Sequence, residues 1–214
     1  KRIREEIPTD TLNNRQYIAR YDALVKRYNK QIVFEQYIEE LEEALCLTMS
    51  DFKKMDIKNW PLSRNEMILL TSIANAYYAI GRNVEAKHIY YALWESILES
   101  KTNTIYHITE YRLLAYNIGI MEGLERNFSK AEEILKCGMR SCMLSGRFEL
   151  IASFLYGIGW CQREEDKEQK IENDEKARHI LEQAFHFANV LKLPNLSNEI
   201  CDYYEEEWQG KIVH

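Results

Sequence analysis

The sequence has little of what breaks helices or builds tight β-turns. Only three prolines and eight glycines occur in 214 residues. β-Rich folds need many such residues at their connections, whereas long helices exclude them. The sequence also has no apolar run of the roughly 18 residues that a membrane-spanning helix needs, and it has no signal-peptide pattern. These absences favour a helical globular protein.

An excess of positive charge is absent as well. Lysine and arginine number 28 against 34 acidic residues, for a net charge of -6. A nucleic-acid surface needs a basic patch, so this segment is not expected to bind nucleic acid directly. The five cysteines show no CxxC spacing, which is typical of thiols in a reducing compartment. We therefore expect a cytoplasmic protein.

Catalytic and cofactor motifs are missing too. The sequence contains no GxSxG, Walker A, HExxH or GxGxxG pattern. His179 and His186 are seven residues apart, but no cluster of acidic or cysteine ligands completes a metal site. We expect no enzyme activity, no cofactor and no metal.

Apolar residues recur at helical spacing along almost the whole chain. The pattern predicts helices at about 13–29, 31–48, 63–80, 83–100, 103–124, 128–144, 147–164, 171–191 and 196–208. Ser63 and Glu66 form a capping box at the start of the third helix. Gly81 and Gly146 are suited to left-handed positions at helix ends.

Small residues recur in pairs between neighbouring helices. The pairs are Ala74 with Ala86, Gly119 with Ala131, and Gly159 with Ala177, each followed four residues later by Tyr90, Leu135 or Leu181. Two antiparallel helices approach closely only where small residues lie at their crossing. This spacing is the tetratricopeptide pattern, with a period of about 40 to 46 residues instead of the usual 34.

We therefore predict an all-α fold, a right-handed superhelical stack of tetratricopeptide-like antiparallel helix pairs with a C-terminal capping helix. The predicted repeat domain covers residues 13–208. Its pairs lie at about 14–48, 63–100, 103–144 and 147–191, the cap is 196–208, and 209–214 form a tail. Because the sequence begins with Lys1, residues 1–12 are interpreted as the remnant of a linker from a missing N-terminal DNA-binding domain.

The first helix of each pair lines the concave groove of such stacks, where ligands bind. If Ile73, Ile118 and Ile158 face the core with the small residues that follow them, neighbouring side chains point into the groove. The candidate ligand-binding residues are Thr71, Asn75, Tyr78, Tyr116, Asn117, Tyr156, Trp160 and Arg163. Asparagines hydrogen-bond a peptide backbone, aromatic rings provide apolar contact, and Arg163 is suited to pair with a carboxylate.

Three segments carry a family resemblance: LSRNEMILLTSIANAYYAIGRNVEAKHIYYALWESIL, LLAYNIGIMEGLERNFSKAEEILKCGMRSCMLSGRFEL and FLYGIGWC. They resemble the C-terminal repeat domain of Rgg-like, peptide-responsive helix-turn-helix transcriptional regulators of Gram-positive bacteria, over about residues 14–208. The resemblance implies a homodimer that takes a short quorum-sensing peptide in its groove. It also implies that Asn75 and Asn117 contact the peptide backbone. No helix-turn-helix is found in this chain, so DNA binding is expected only through a domain absent from it.

Two alternatives remain at this stage. One is a stand-alone repeat adaptor that holds a partner protein. The other is a repeat protein that acts on a response regulator, through side chains such as Gln16 or Glu40. For dimerisation, the sequence favours the acidic C-terminal helix with Tyr203, Tyr204 and Trp208.

Overall fold

The computed structural model describes residues 11–54, 56–99, 105–171, 174–208 and 212. In these residues nine α-helices are present and no strand. The helices are α1 Leu12–Tyr28, α2 Phe34–Cys46, α3 Arg64–Ala79, α4 Asn83–Glu99, α5 Ile105–Leu124, α6 Phe128–Ser145, α7 Ile151–Glu168, α8 Glu175–Val190 and α9 Pro194–Trp208. Two short 3-10 turns, Phe52–Lys54 and Ile57–Asn59, lie between α2 and α3. Each helix coincides with a segment predicted from apolar periodicity, and the all-α prediction is confirmed.

Local chemistry sets the helix ends where the sequence predicted it. The Ser63 hydroxyl accepts from the Glu66 backbone N–H at 3.3 Å, and the Glu66 carboxylate accepts from the Ser63 backbone N–H at 2.7 Å. This reciprocal pair satisfies two N–H groups that a helix start leaves without partners. Gly81 and Gly146 adopt the left-handed conformation, with φ of 79° and 65°. Both predictions are therefore confirmed.

Four further helix ends use the same left-handed position without glycine. Lys30, Arg126, Lys170 and Lys192 have φ between 55° and 66°. At each one, and at both glycines, the N–H of the following residue bonds to the carbonyl five residues before it. This is the Schellman arrangement, which satisfies the last carbonyls of a helix. The long basic side chains gave no sequence signal for it, because glycine is the usual residue there.

The chain divides into two compact units, Lys1–Glu110 and Tyr111–His214. In the first unit α1 packs on α2, α2 on α3, and α3 on α4. Its core holds fully buried aliphatic side chains from α2, the following turn, α3 and α4: Leu41, Leu45, Met49, Leu69, Leu70, Ile73 and Leu93. The antiparallel pairs thus bury their apolar stripes against each other, as the periodicity predicts.

A buried polar network joins α1 to the start of α3 in the first unit. Gln16 is fully buried; its amide donates to the Thr48 hydroxyl and accepts from Asn65, both at 2.6 Å. Thr48 in turn donates to Glu66 at 2.6 Å. Buried polar groups are stable only when they have such partners.

In the second unit α6 packs on α7, α7 on α8, and α8 on α9. Two crossings depend on glycine. A Cβ on Gly119 would lie 2.5 Å from Leu135 Cγ, and one on Gly159 would lie 2.8 Å from Leu181 Cγ. The sequence correctly placed small residues at these crossings. The side chain that fills each gap is the leucine four residues after the paired alanine. The handedness of the stack and the division into linker, repeat domain and tail stay predictions.

Candidate functional site

The premise of the groove prediction is confirmed. Ile73, Ile118 and Ile158 are at most 2% exposed, and the small residue after each is also buried. The candidate residues beside them therefore belong to the edges of the buried stripes.

On α3, Thr71, Asn75 and Tyr78 lie at i, i+4 and i+7 and share one helix face. Asn75 is exposed, whereas Thr71 and Tyr78 are half-buried. The Thr71 hydroxyl donates to the Met67 carbonyl at 2.8 Å. The sequence thus brings these three side chains to one partly accessible surface of the first unit.

The Asn75 side chain is held by a tyrosine. The hydroxyl of Tyr90, on α4, donates to the Asn75 amide oxygen. Tyr90 is 3% exposed, and its pKa is raised because burial disfavours the phenolate. Sequence reasoning placed Tyr90 only as a bulky group after a small residue. In the structure it fixes the orientation of an exposed amide.

In the second unit, Tyr116 and Tyr156 are associated with one carboxylate that the sequence analysis missed. Burial raises the pKa of Tyr116, and the negative charge of Glu199 raises it further. Burial also raises the pKa of Tyr156, and the negative charge of Glu199 raises it further. Tyr116 packs edge-on against Phe154, with ring centroids 5.9 Å apart.

Tyr156 lines a cleft of about 450 Å³ between α7 and α9. The other lining residues are Asn195, Asn198, Glu199, Asp202, Tyr203 and Glu206. The rings of Tyr156 and Tyr203 meet edge-on at 6.1 Å. The cleft thus combines aromatic surface, amides and acidic oxygens. The alternation NEICDYYEEEW in α9 was the available signal, but it was interpreted as a cap.

Asn117, Trp160 and Arg163 occupy other environments. Asn117 is half-buried on α5. The Trp160 ring lies against Gly123, where an added Cβ would come within 2.5 Å of it. Arg163 forms ion pairs with Asp174 at 2.5 Å and Glu207 at 2.8 Å. A ligand carboxylate at Arg163 would compete with these two partners, and the ligand-binding roles of all eight candidates stay predictions.

The aromatic side chains of α9 have partners within their own unit. Tyr203 donates to Glu164 at 3.0 Å and Tyr204 to Glu182 at 2.8 Å. The Trp208 indole donates to both carboxylate oxygens of Asp174, at 3.0 and 2.8 Å. Tyr204 is only 5% exposed. Tyr203 and Trp208 are half-buried, and the dimer surface stays a prediction.

The response-regulator alternative loses one of its two named side chains. Gln16 is fully buried within its network, so it is not accessible to a partner protein. Glu40 accepts from Lys26 at 2.6 Å. Elsewhere in the described part of the chain, no group of three or more His, Cys, Asp or Glu side chains is arranged to hold a metal ion. No described helix is long and apolar enough to cross a membrane.

No protein-family model matches the sequence, and no curated protein sequence matches it. Solved structures do match. PlcR of Bacillus thuringiensis in its apo form has a TM-score of 0.71 at 13% identity, over 91% of this chain and 66% of PlcR. PlcR in complex with the peptide PapR7 and DNA has a TM-score of 0.69 at 14% identity, over 94% of this chain and 62% of PlcR.

The chain therefore spans slightly less than two thirds of PlcR. The TPR-like repeats of a putative kinesin light chain from Podospora anserina match with a TM-score of 0.56 at 15% identity, over 88% of this chain and 81% of that chain. At these identities the likeness concerns the fold. The chain folds as an all-α helical-repeat protein of the tetratricopeptide-like type, as its sequence predicted.

Proposed function

We propose that this chain is the ligand-sensing and dimerisation domain of a helix-turn-helix transcriptional regulator, and that its ligand is a short signalling peptide. The fold likeness to PlcR supports this, since one solved PlcR structure contains both a peptide and DNA. In the proposal the protein is cytoplasmic, is not an enzyme, and reaches DNA only through a domain outside this chain.

The observation that carries the proposal is the cleft between α7 and α9. Tyr156 and Tyr203 offer flat apolar surfaces, and Glu199 brings a carboxylate to Tyr116 and Tyr156. Tyrosine rings bury much area at low entropic cost, and amide and carboxylate oxygens accept hydrogen bonds from a peptide backbone. A short peptide matches this combination better than a nucleotide does, because the cleft has acidic groups where phosphate binding requires cations.

The α3 face that carries Thr71, Asn75 and Tyr78 supports the same ligand class. Asn75 presents an amide whose oxygen is held by Tyr90, and a fixed amide loses less entropy on binding than a mobile one. Peptide binding regulates DNA binding only if the peptide has different affinities for two conformations of the protein. The proposal therefore requires that the bound and free states differ.

Affinity selection tests the proposal. The chain is incubated with a pooled library of synthetic heptapeptides, and retained peptides are identified by mass spectrometry and measured by calorimetry. We expect Tyr156→Ala, Asn75→Ala and Asn117→Ala each to weaken binding of a selected peptide about tenfold or more. Losses of this size are typical of residues that a bound ligand covers at the centre of an interface. Tyr28→Ala and Asn83→Ala are matched controls, because both residues are exposed outside these surfaces.

Equal weakening by the control variants, or the absence of any retained peptide, would overturn the proposal. The adaptor alternative predicts that no peptide is retained and that the chain binds a folded partner protein.

A further inference from the structure

The inner face of α1 carries two arginines at positions where buried residues are expected. Gln16, Arg20, Ala23 and Arg27 lie at i, i+4, i+7 and i+11, which is one stripe of a helix. Gln16 and Ala23 are fully buried. Arg20 lies between them, Arg27 follows Ala23, and both arginines are half-buried. The stripe that packs on α2 thus contains two positive charges.

Aromatic rings support both guanidinium groups. Arg27 lies 3.9 Å from the centroid of the Phe34 ring, and Arg20 lies 4.8 Å from that of Tyr21 and 5.3 Å from that of Tyr17. Stacking uses the flat face of a guanidinium group and leaves its N–H edge available for hydrogen bonds. The rings therefore hold both guanidinium groups in place without providing an acceptor for the Nε–H of either one.

No acidic side chain neutralises the pair among the residues that the structure describes. The Nε of each arginine is buried and has no hydrogen-bond partner. Lys26, on the same helix, pairs with Glu40 at 2.6 Å, so α2 does supply a carboxylate to its neighbour. Buried cationic donors without acceptors are costly, so an acceptor supplied by a ligand would stabilise both side chains.

Both arginines act on the same hydroxyl group. Burial raises the pKa of Tyr37, while the positive charges of Arg20 and Arg27 lower it.

We propose that Arg20 and Arg27 form a binding site for a carboxylate group. This inference rests on the proposed function and makes it more specific. The carboxylate would be the C-terminus or an acidic side chain of the peptide ligand, bound in the first unit. A planar guanidinium fork matches a carboxylate through two parallel hydrogen bonds.

The site is tested directly by ¹H–¹⁵N spectra of the arginine Nε–Hε groups of the whole chain. The signals are assigned with Arg20→Lys and Arg27→Lys, and the exposed Arg147 provides an internal reference. Sodium acetate is added at constant ionic strength against sodium chloride, and inorganic phosphate is added in a parallel series. We expect the Arg20 and Arg27 signals to shift saturably with acetate while Arg147 does not.

Signals of Arg20 and Arg27 that follow Arg147 would overturn the inference, as would saturation by phosphate without saturation by acetate. The titration is measured on the unmodified chain, and the single variants serve only to assign its signals.

Peptides separate this inference from the proposed function. The doubly substituted Arg20→Lys and Arg27→Lys variant should bind a selected peptide at least tenfold more weakly, with Arg147→Lys as the control. If the bound carboxylate is the C-terminus of the peptide, amidation of that C-terminus should weaken binding to the unmodified chain by the same factor. Acetate saturation without any peptide binding would support the carboxylate site and reject the peptide-sensor proposal. Peptide binding that is unchanged in the double variant would support the peptide-sensor proposal and reject the carboxylate site.

Discussion

Leu135 fills the space that Gly119 leaves at the crossing of α5 and α6. A Cβ on Gly119 would lie 2.5 Å from Leu135 Cγ and 2.6 Å from its Cδ2. Both residues are buried, and Leu135 is fully enclosed. The two helices therefore approach closely because one residue lacks a side chain and the other inserts one.

Gly119→Ala tests this crossing. Alanine in place of glycine usually stabilises a helix interior by about 1 kcal/mol, but here we expect a loss of about 1–3 kcal/mol from overpacking. The measurement is urea unfolding followed by circular dichroism. In the double variant Gly119→Ala and Leu135→Ala the two effects should be less than additive, because the clash disappears with the leucine. Strict additivity would contradict the crossing.

Lys192→Gly tests the left-handed helix ends. Lys192 has a φ of 55°, a conformation that costs a residue with a Cβ roughly 1–2 kcal/mol. Glycine removes this cost but loses more entropy on folding. We expect a net gain of about 0.5–1 kcal/mol in the free energy of unfolding. Gly81→Ala, at a φ of 79°, is the matched control and should lose about 1 kcal/mol. A loss in Lys192→Gly would reject the explanation.

Asp174→Asn tests the cluster at the end of α9. Asp174 pairs with Arg163 at 2.5 Å and accepts from the Trp208 indole, and the two charged side chains are only 10% and 16% exposed. The amide keeps an oxygen for the indole but removes the charge that faces Arg163. We expect a loss of about 1–3 kcal/mol, less than for a fully buried pair.

Glu168→Gln is the control for that substitution. It removes the ion pair with Arg126, in which the side chains of Glu168 and Arg126 are 36% and 72% exposed, and it should cost less than about 0.5 kcal/mol. Equal losses in the two variants would show that burial of the Arg163 pair has no effect.

Tyr77→Phe tests the alkaline limit of stability. Burial raises the pKa of Tyr77 to about 12, with a smaller contribution from its hydrogen bond to Glu42 at 2.5 Å. The unfolded chain has a tyrosine pKa near 10, so roughly between pH 10 and 12 the native state holds the proton more tightly. The contribution of Tyr77 is therefore complete below about pH 10 and is lost as the pH rises towards 12.

The stability of Tyr77→Phe should decline less steeply across that interval than the stability of the unmodified chain. Urea midpoints measured between about pH 8 and 12 give the two slopes. Tyr28→Phe is the control, because Tyr28 is 85% exposed. If Tyr77→Phe and Tyr28→Phe have the same slope, the raised pKa of Tyr77 is not linked to folding.

Parts of the candidate site were predictable because they follow from local periodicity. Once Ile73 is placed in the core, Asn75 and Tyr78 must lie beside the buried stripe. The Tyr90 bond to Asn75 and the approach of Glu199 to Tyr116 were not predictable in the same way. Each joins residues on different helices, and their meeting depends on how the helices cross.

The helices, the capping box at Ser63 and the glycine ends follow from the amino-acid sequence alone, because they depend on contacts within a few residues along the chain. The small residues at the crossings follow from their regular spacing. The contact of Leu135 with Gly119, the pairing of Arg163 within its own unit, and the lack of acidic partners for Arg20 and Arg27 among the described residues became evident only from the folded chain. Those outcomes depend on the distance and angle between helices. A helical pattern specifies which face is buried but not which side chain of a neighbouring helix it meets.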